Sequence, residues 1–186
     1  MDPWKASLIS CLLLTFLLFA ESTSTSKVLD VNIICKEVEN PSFCSKILNS
    51  KPGGTKGADL VSLGNYTIGV VFGNITNTIK LIKSLIAHSG KDPKAKSHYK
   101  ECLSLIGGES GSLGEIIDTQ KRFEARDYYG VSTSASSVIA NIEYCISGED
   151  PEDPPYPDKS NLPRYARFIE QVVDIILVIS IFLKQE

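Results

Sequence analysis

The placement of cysteine constrains this chain more than any other feature. There are five, Cys11, Cys35, Cys44, Cys102 and Cys145, and an odd count leaves one thiol without an intramolecular partner. Cys11 resolves the count. It lies in a mostly apolar run, LISCLLLTFLLFA at residues 8–20, behind Lys5 and ahead of the polar stretch ESTSTS. That order is the pattern of a secretory signal peptide over residues 1–26. The thirteen-residue run falls short of the roughly 20 residues that cross a bilayer, so the segment reads as an export signal and not an anchor. Cleavage at about residues 22–26 removes Cys11 together with Trp4 and Met1, and leaves about 160 residues with four cysteines.

Four cysteines in an oxidising compartment form two disulfides. The sequence by itself allows three connectivities. A short loop closes with the least entropic cost, which favours Cys35–Cys44 and leaves Cys102–Cys145. In a chain-entropy description such bridges contribute about 3 and about 4 kcal/mol. The spacing matches neither a zinc knuckle nor a CxxC redox pair, so no metal and no cofactor are expected.

Between the cysteines the apolar pattern is helical. In residues 57–89, Ile68, Val71, Phe72, Ile75, Ile79, Ile82 and Ile86 recur at steps of three and four, which makes one apolar stripe. A second long helix is expected from about Lys94 to Phe123. It contains GGESGSLG at residues 107–114, and interior glycines cost about 1 kcal/mol each relative to alanine, so a kink or a break is expected there. A third helix is expected over 131–147, on Ala135, Val138, Ile142 and Cys145. The fourth, over 162–184, carries the run IILVISIFL, nine residues bounded by Asp174 and Lys184. That run is too short for a membrane span and fits a buried bundle helix. Ahead of these, residues 27–55 read as a helical hairpin broken at Asn40-Pro41-Ser42. Residues 148–163, acidic and rich in proline, read as a long exposed loop. The expected architecture is all-α: an antiparallel up-and-down four-helix bundle over 57–186 behind the N-terminal hairpin, with two disulfides.

Chemistry-bearing motifs are sparse. The net charge of −3 excludes binding to nucleic acid by broad phosphate neutralisation. His88 and His98 are the only histidines and fit no zinc-ligand spacing; both are expected near helix ends on the surface. The glycine-rich stretch lacks the Lys-Ser/Thr and the preceding strand of a phosphate-binding loop. No nucleophile elbow is present, and all mature cysteines are spoken for. A catalytic role is therefore not expected. Asn65-Tyr66-Thr67 and Asn74-Ile75-Thr76 are glycosylation sequons, so Asn65 and Asn74 are candidate glycan sites.

An ordered set of residues now carries a resemblance. It runs through Ile34-Cys35, Asn40-Pro41-Ser42-Phe43-Cys44, Asp59-Leu60, Leu63-Gly64, Asp92-Pro93-Lys94, Tyr99, Cys102, Ser112-Leu113-Gly114, Asp127-Tyr128, Ala135, Cys145 and Asp174-Ile175. The mature chain resembles the plant invertase/pectin methylesterase inhibitor family over nearly its whole length. The resemblance implies a hairpin plus four-helix bundle, disulfides joining Cys35 to Cys44 and Cys102 to Cys145, and action in the cell wall. There a member binds a carbohydrate-active enzyme and blocks its cleft without chemistry of its own. One branch caps pectin methylesterase, in a 1:1 complex; the other targets acid invertases through a Pro-Lys-Phe motif between the second and third bundle helices. Here Asp127-Tyr128-Tyr129-Gly130 stands in that place, so pectin methylesterase is the expected partner and invertase the alternative. No nucleic acid or membrane partner is expected after cleavage.

A rigid stapled bundle presents side chains at low ordering cost. The polar faces of the first three long helices are the expected contact surface, with Asn77, Lys80, Lys83, Glu109, Ser132, Ser136, Asn141 and Glu143 as positional candidates. Carboxylates in such a surface would make binding depend on pH near about 4–5. The rival reading is a secreted structural helical protein with no enzyme target.

Overall fold

A computed structural model of the chain describes residues 30–148 and 154–185. The leader expected over residues 1–26, with Cys11, lies outside the described residues. Among the described residues seven helices follow in order: α1 (Val31–Lys36), α2 (Pro41–Asn49), α3 (Leu60–His88), α4 (Pro93–Gly107), α5 (Ser112–Glu124), α6 (Tyr128–Ser147) and α7 (Leu162–Lys184). No strand occurs among the described residues.

Five of the seven starts are written locally as side-chain caps. Asp30, Asn40, Asp59, Asp92 and Asp127 cap α1, α2, α3, α4 and α6, each accepting a hydrogen bond from a backbone N–H of the first turn. Such a cap contributes about 1 kcal/mol by satisfying an otherwise unpaired donor. Pro41 and Pro93 occupy first-turn positions, where their missing N–H is no loss. Helix α6 begins at Tyr128 because Asp127 caps it, slightly earlier than the apolar pattern alone suggests.

Four rods surround one core. Helix α3 packs on α7 and on the α4–α5 pair, and α6 packs on α4, α5 and α7. The rods thus run α3, α4–α5, α6, α7 around the bundle, each beside its neighbours in sequence. The core is a continuous cluster that includes Leu63, Ile75, Ile82, Ile106, Ile116, Ile142, Ile169 and Ile176. The apolar run of α7 is buried inside it, with Ile175, Ile176 and Ile179 fully enclosed. No helix among the described residues is long and apolar enough to cross a membrane.

The hairpin is fastened to α7 at two points. The Glu39 backbone N–H donates to Asp174 Oδ2 at 3.0 Å, and the rings of Phe43 and Phe168 meet edge to face with centroids 5.3 Å apart. The disulfide Cys35–Cys44 closes the hairpin, with Cα atoms 5.5 Å apart. The second disulfide, Cys102–Cys145, joins α4 to α6 with Cα atoms 4.6 Å apart.

The second rod is broken where the glycines stand. Helix α4 ends at Gly107, and α5 starts at Ser112 after Gly111. In the break the chain passes so close to itself that a side chain has no room. A Cβ on Gly111 would lie 2.5 Å from the Leu105 carbonyl oxygen, and one on Gly114 would collide with the Glu109 carbonyl oxygen. This passage lets Ser112 sink fully into the interface with α6, where its hydroxyl donates to the Val138 carbonyl at 3.3 Å. About two turns further on, Thr119 Oγ1 donates to Ser134 Oγ at 2.9 Å in the same interface. No buried side-chain polar atom among the described residues is left without a partner.

Candidate functional site

The eight contact candidates do not gather on one face. Lys80 and Lys83 are exposed on the outer side of α3. Glu109 is exposed in the break, and Asn141 from α6 reaches the same place, its Nδ2 donating to the Ser110 carbonyl at 3.4 Å. Ser136 and Glu143 are exposed on α6, on the side of that helix turned toward α7. Ser132 shares their side but is half-buried. Its hydroxyl is 2.9 Å from Ser180 Oγ and accepts from Lys184 Nζ at 2.8 Å, which ties α6 to α7. Asn77 is exposed and lines a groove between α2, α3 and α7. The candidates therefore fall into three sets: the outer face of α3, the α4–α5 break with Asn141, and the rims of α7.

Two grooves run along those rims of α7. The first lies between α6, α7 and the hairpin and holds about 390 Å³. Glu39, Glu143, Glu170 and Asp174 line it, with Arg167 as its one cation. Burial and then the Glu143 carboxylate raise the pKa of Glu170 above the ordinary range, against the opposing pull of Arg167. The second groove, with α2 and α3, holds about 640 Å³ and carries Lys46, Arg164 and Arg167 with no carboxylate.

The two sequons differ in setting. Asn65 is exposed; its Nδ2 donates to the Val61 carbonyl at 3.1 Å and its Oδ1 accepts from Gln120 at 2.9 Å. Asn74 is half-buried in the wall of the second groove and donates to the Val70 carbonyl at 2.8 Å.

His98 departs from the expectation of a surface residue, while His88 is exposed. The segment after residue 154 folds back as a strap over α4. Tyr156 stacks on the His98 ring with centroids 4.5 Å apart and planes 27° from parallel. Tyr99 Oη donates to Asp158 Oδ1 at 2.8 Å, and His98 Nε2 lies 3.9 Å from Asp158 Oδ2. The His98 side chain retains 11% of its exposure and that of Asp158 5%. Burial lowers the His98 pKa, against the attraction of Asp158 and Glu101. Burial, then the hydrogen bond to Asp158, pushes Tyr99 up to about 12. The strap residues are far from His98 and Tyr99 in sequence, and local periodicity does not signal their contact.

Among the described residues, no group of three or more histidine, cysteine or carboxylate side chains is arranged to hold a metal ion. The arrangement is instead that of a stapled helical surface with polar rims. Its sequence matches the family model for plant invertase/pectin methylesterase inhibitors over residues 30–179.

The chain belongs to that family.

The family is one of inhibitor proteins and not of enzymes. Among its relatives, Pectinesterase inhibitor 1 of Arabidopsis thaliana is 28% identical over 133 residues, which is 72% of this chain and 72% of the relative. Pectinesterase inhibitor 2 of the same plant is 28% identical over 142 residues, 75% of this chain and 79% of that one. Two crystal structures share the fold. A mutant form of a pectin methylesterase inhibitor from Arabidopsis has a TM-score of 0.64 at 27% identity, covering 79% of this chain and 92% of that one. A pectin methylesterase inhibitor from Arabidopsis thaliana has a TM-score of 0.59 at 26% identity, covering 82% and 95%.

Proposed function

We propose that this inhibitor-family chain is secreted to the cell wall and binds pectin methylesterase non-covalently, one to one, over its active-site cleft. The observation that carries the reading is the family match over residues 30–179, together with relatives that bear the name pectinesterase inhibitor. The mechanism is steric. A bundle stapled by Cys35–Cys44 and Cys102–Cys145 has little freedom left to lose on docking, so most of its contact energy appears as affinity.

The contact surface lies on the first three rods. Lys80 and Lys83 on α3, Glu109 beside Asn141 at the break, and Ser136 with Glu143 on α6 are exposed or half-exposed enough to meet a partner. Ser132 is committed to the α6–α7 contact and supports that surface without lining it. Asn65 is the better placed of the two sequons for a glycan, being exposed where Asn74 sits in a groove wall.

The test is a paired titration. Purified protein is added to pectin methylesterase and, separately, to cell-wall and vacuolar invertase between about pH 5 and 7. Inhibition of the esterase alone is expected. Inhibition of an invertase alone would move the chain to the other branch of the family. No inhibition of either would leave a secreted structural protein.

A further inference from the structure

The groove between α2, α3 and α7 carries a group of cations that the inhibitor reading does not use. We infer that it is a binding site for an anionic oligosaccharide, a short chain of carboxylate-bearing sugars.

Of the ten residues that line the groove, three are cations, Lys46, Arg164 and Arg167, and none is a carboxylate. The chain as a whole carries a net charge of −3, so this is a local reversal of sign. None of the three is in a salt bridge among the described residues. A guanidinium presents a planar fork of donors that matches a carboxylate. Arg164 and Arg167 stand three residues apart on α7, next to each other on its surface.

The rest of the lining selects a sugar over a bare anion. The side-chain amides of Asn77, Asn161 and Gln171 line the same walls, and an amide both donates to and accepts from a hydroxyl. Tyr165, 37% exposed, offers a ring face to the C–H side of a pyranose and a hydroxyl at its tip. Underneath, the edge-to-face pair of Phe43 and Phe168 fixes α2 against α7, so the cations of the two helices are held on one frame. The groove's volume of about 640 Å³ lies within the usual range for small-ligand sites, about 300–1,000 Å³. Arg167 and Gln171 line both grooves; Lys46 and Arg164 belong to this one alone, while the four carboxylates of the neighbouring groove would repel the same ligand there and favour the side of α7 that faces α2 and α3.

Asn74 gives the site a second property. Its side chain lines the groove, so a glycan attached there would occupy the space the ligand needs. Glycosylation at Asn74 and oligosaccharide binding exclude each other.

Binding at this groove is independent of enzyme inhibition and is measured separately. Disulfide-bonded, isotope-labelled protein lacking a glycan at Asn74, secured by Thr76→Ala in a glycosylating host, is titrated with trigalacturonate and followed by NMR. Amide shifts should move on α2, on α3 around Asn77 and on the first turns of α7. The fully methyl-esterified trimer, which has no charge, should bind at least about tenfold more weakly. The double variant Arg164→Ser/Arg167→Ser should lose at least about tenfold in affinity for the acid, with an unchanged circular dichroism spectrum. Should that variant not fold, Lys46→Ser and a salt titration of the parent replace it, and binding that is indifferent to both defeats the proposal. It is also overturned by an absence of shifts up to about 10 mM trigalacturonate, by equal binding of the ester, or by triglutamate moving the same amides equally, which would show a site for charge alone. The esterase titration proceeds on the same protein, so the two readings stand or fall apart.

Discussion

Helix α3 and the α4–α5 pair line the same core, yet one is continuous for 29 residues and the other stops after 15. Both contain glycines, and apart from Gly64 of α3, buried so close to the Phe123 ring that a Cβ would collide with it, the glycines do opposite things. In α3, Gly69 and Gly73 face solvent, and a Cβ on either would meet nothing within 4 Å. They weaken a helix whose burial holds it together regardless. In the second rod Gly111 and Gly114 stand where the chain passes its own carbonyls, and no other residue fits without moving the backbone. The lesson is that glycine content does not measure weakness. What matters is whether the missing side chain leaves empty space or makes a contact possible.

That contrast can be broken experimentally. The largest effect is expected from Cys102→Ala/Cys145→Ala, which frees the broken rod from α6 and should cost about 4 kcal/mol in urea unfolding. A loss no greater than that of an ordinary surface change would mean that packing alone holds α4. Gly114→Ala comes next, with an expected loss of about 2 kcal/mol as the backbone shifts away from the Glu109 carbonyl; an unchanged midpoint would show that the break adapts freely. Gly69→Ala should go the other way and stabilise by up to about 1 kcal/mol, and destabilisation there would end the comparison between the rods. Asn141→Ala, which removes one long hydrogen bond to Ser110, should cost about 0.5 kcal/mol and speed amide exchange in residues 109–112 only.

The smallest effect concerns pH. Burial holds the His98 pKa below its ordinary 6.5, so between that value and the lowered one the unfolded chain binds more protons than the folded chain. Stability should therefore fall as pH drops through this window. The groups facing the ring are Asp158 and Tyr156 on the strap and Tyr99 and Glu101 on α4. His98→Gln should flatten the dependence of the melting temperature on pH, and an unaltered slope would assign it to another group.

How much of this could be read beforehand depended on whether the governing partners were near in sequence. The hairpin, the continuous α3 and the buried α7 follow from apolar spacing, caps and the Asn40-Pro41 break, all local signals. The interruption at 107–114 was visible as a run of glycines. Its use was not, because the burial of Ser112 depends on Val138 across the interface. His98 was misplaced for the same reason: Tyr156 and Asp158, which cover it, belong to a segment that by composition looked merely exposed. The basic groove left no trace in the sequence, since Lys46 lies on the hairpin and Arg164 and Arg167 on the last helix.

The Cys102–Cys145 bridge spans 43 positions and encloses the whole of the α4–α5 interruption. The covalent backbone there is a closed circuit. A protease that cuts among the exposed residues of the break opens a ring without releasing a fragment. The two ends stay tethered through sulfur, so damage at the softest point of the second rod would pass unnoticed by size until a reductant is added.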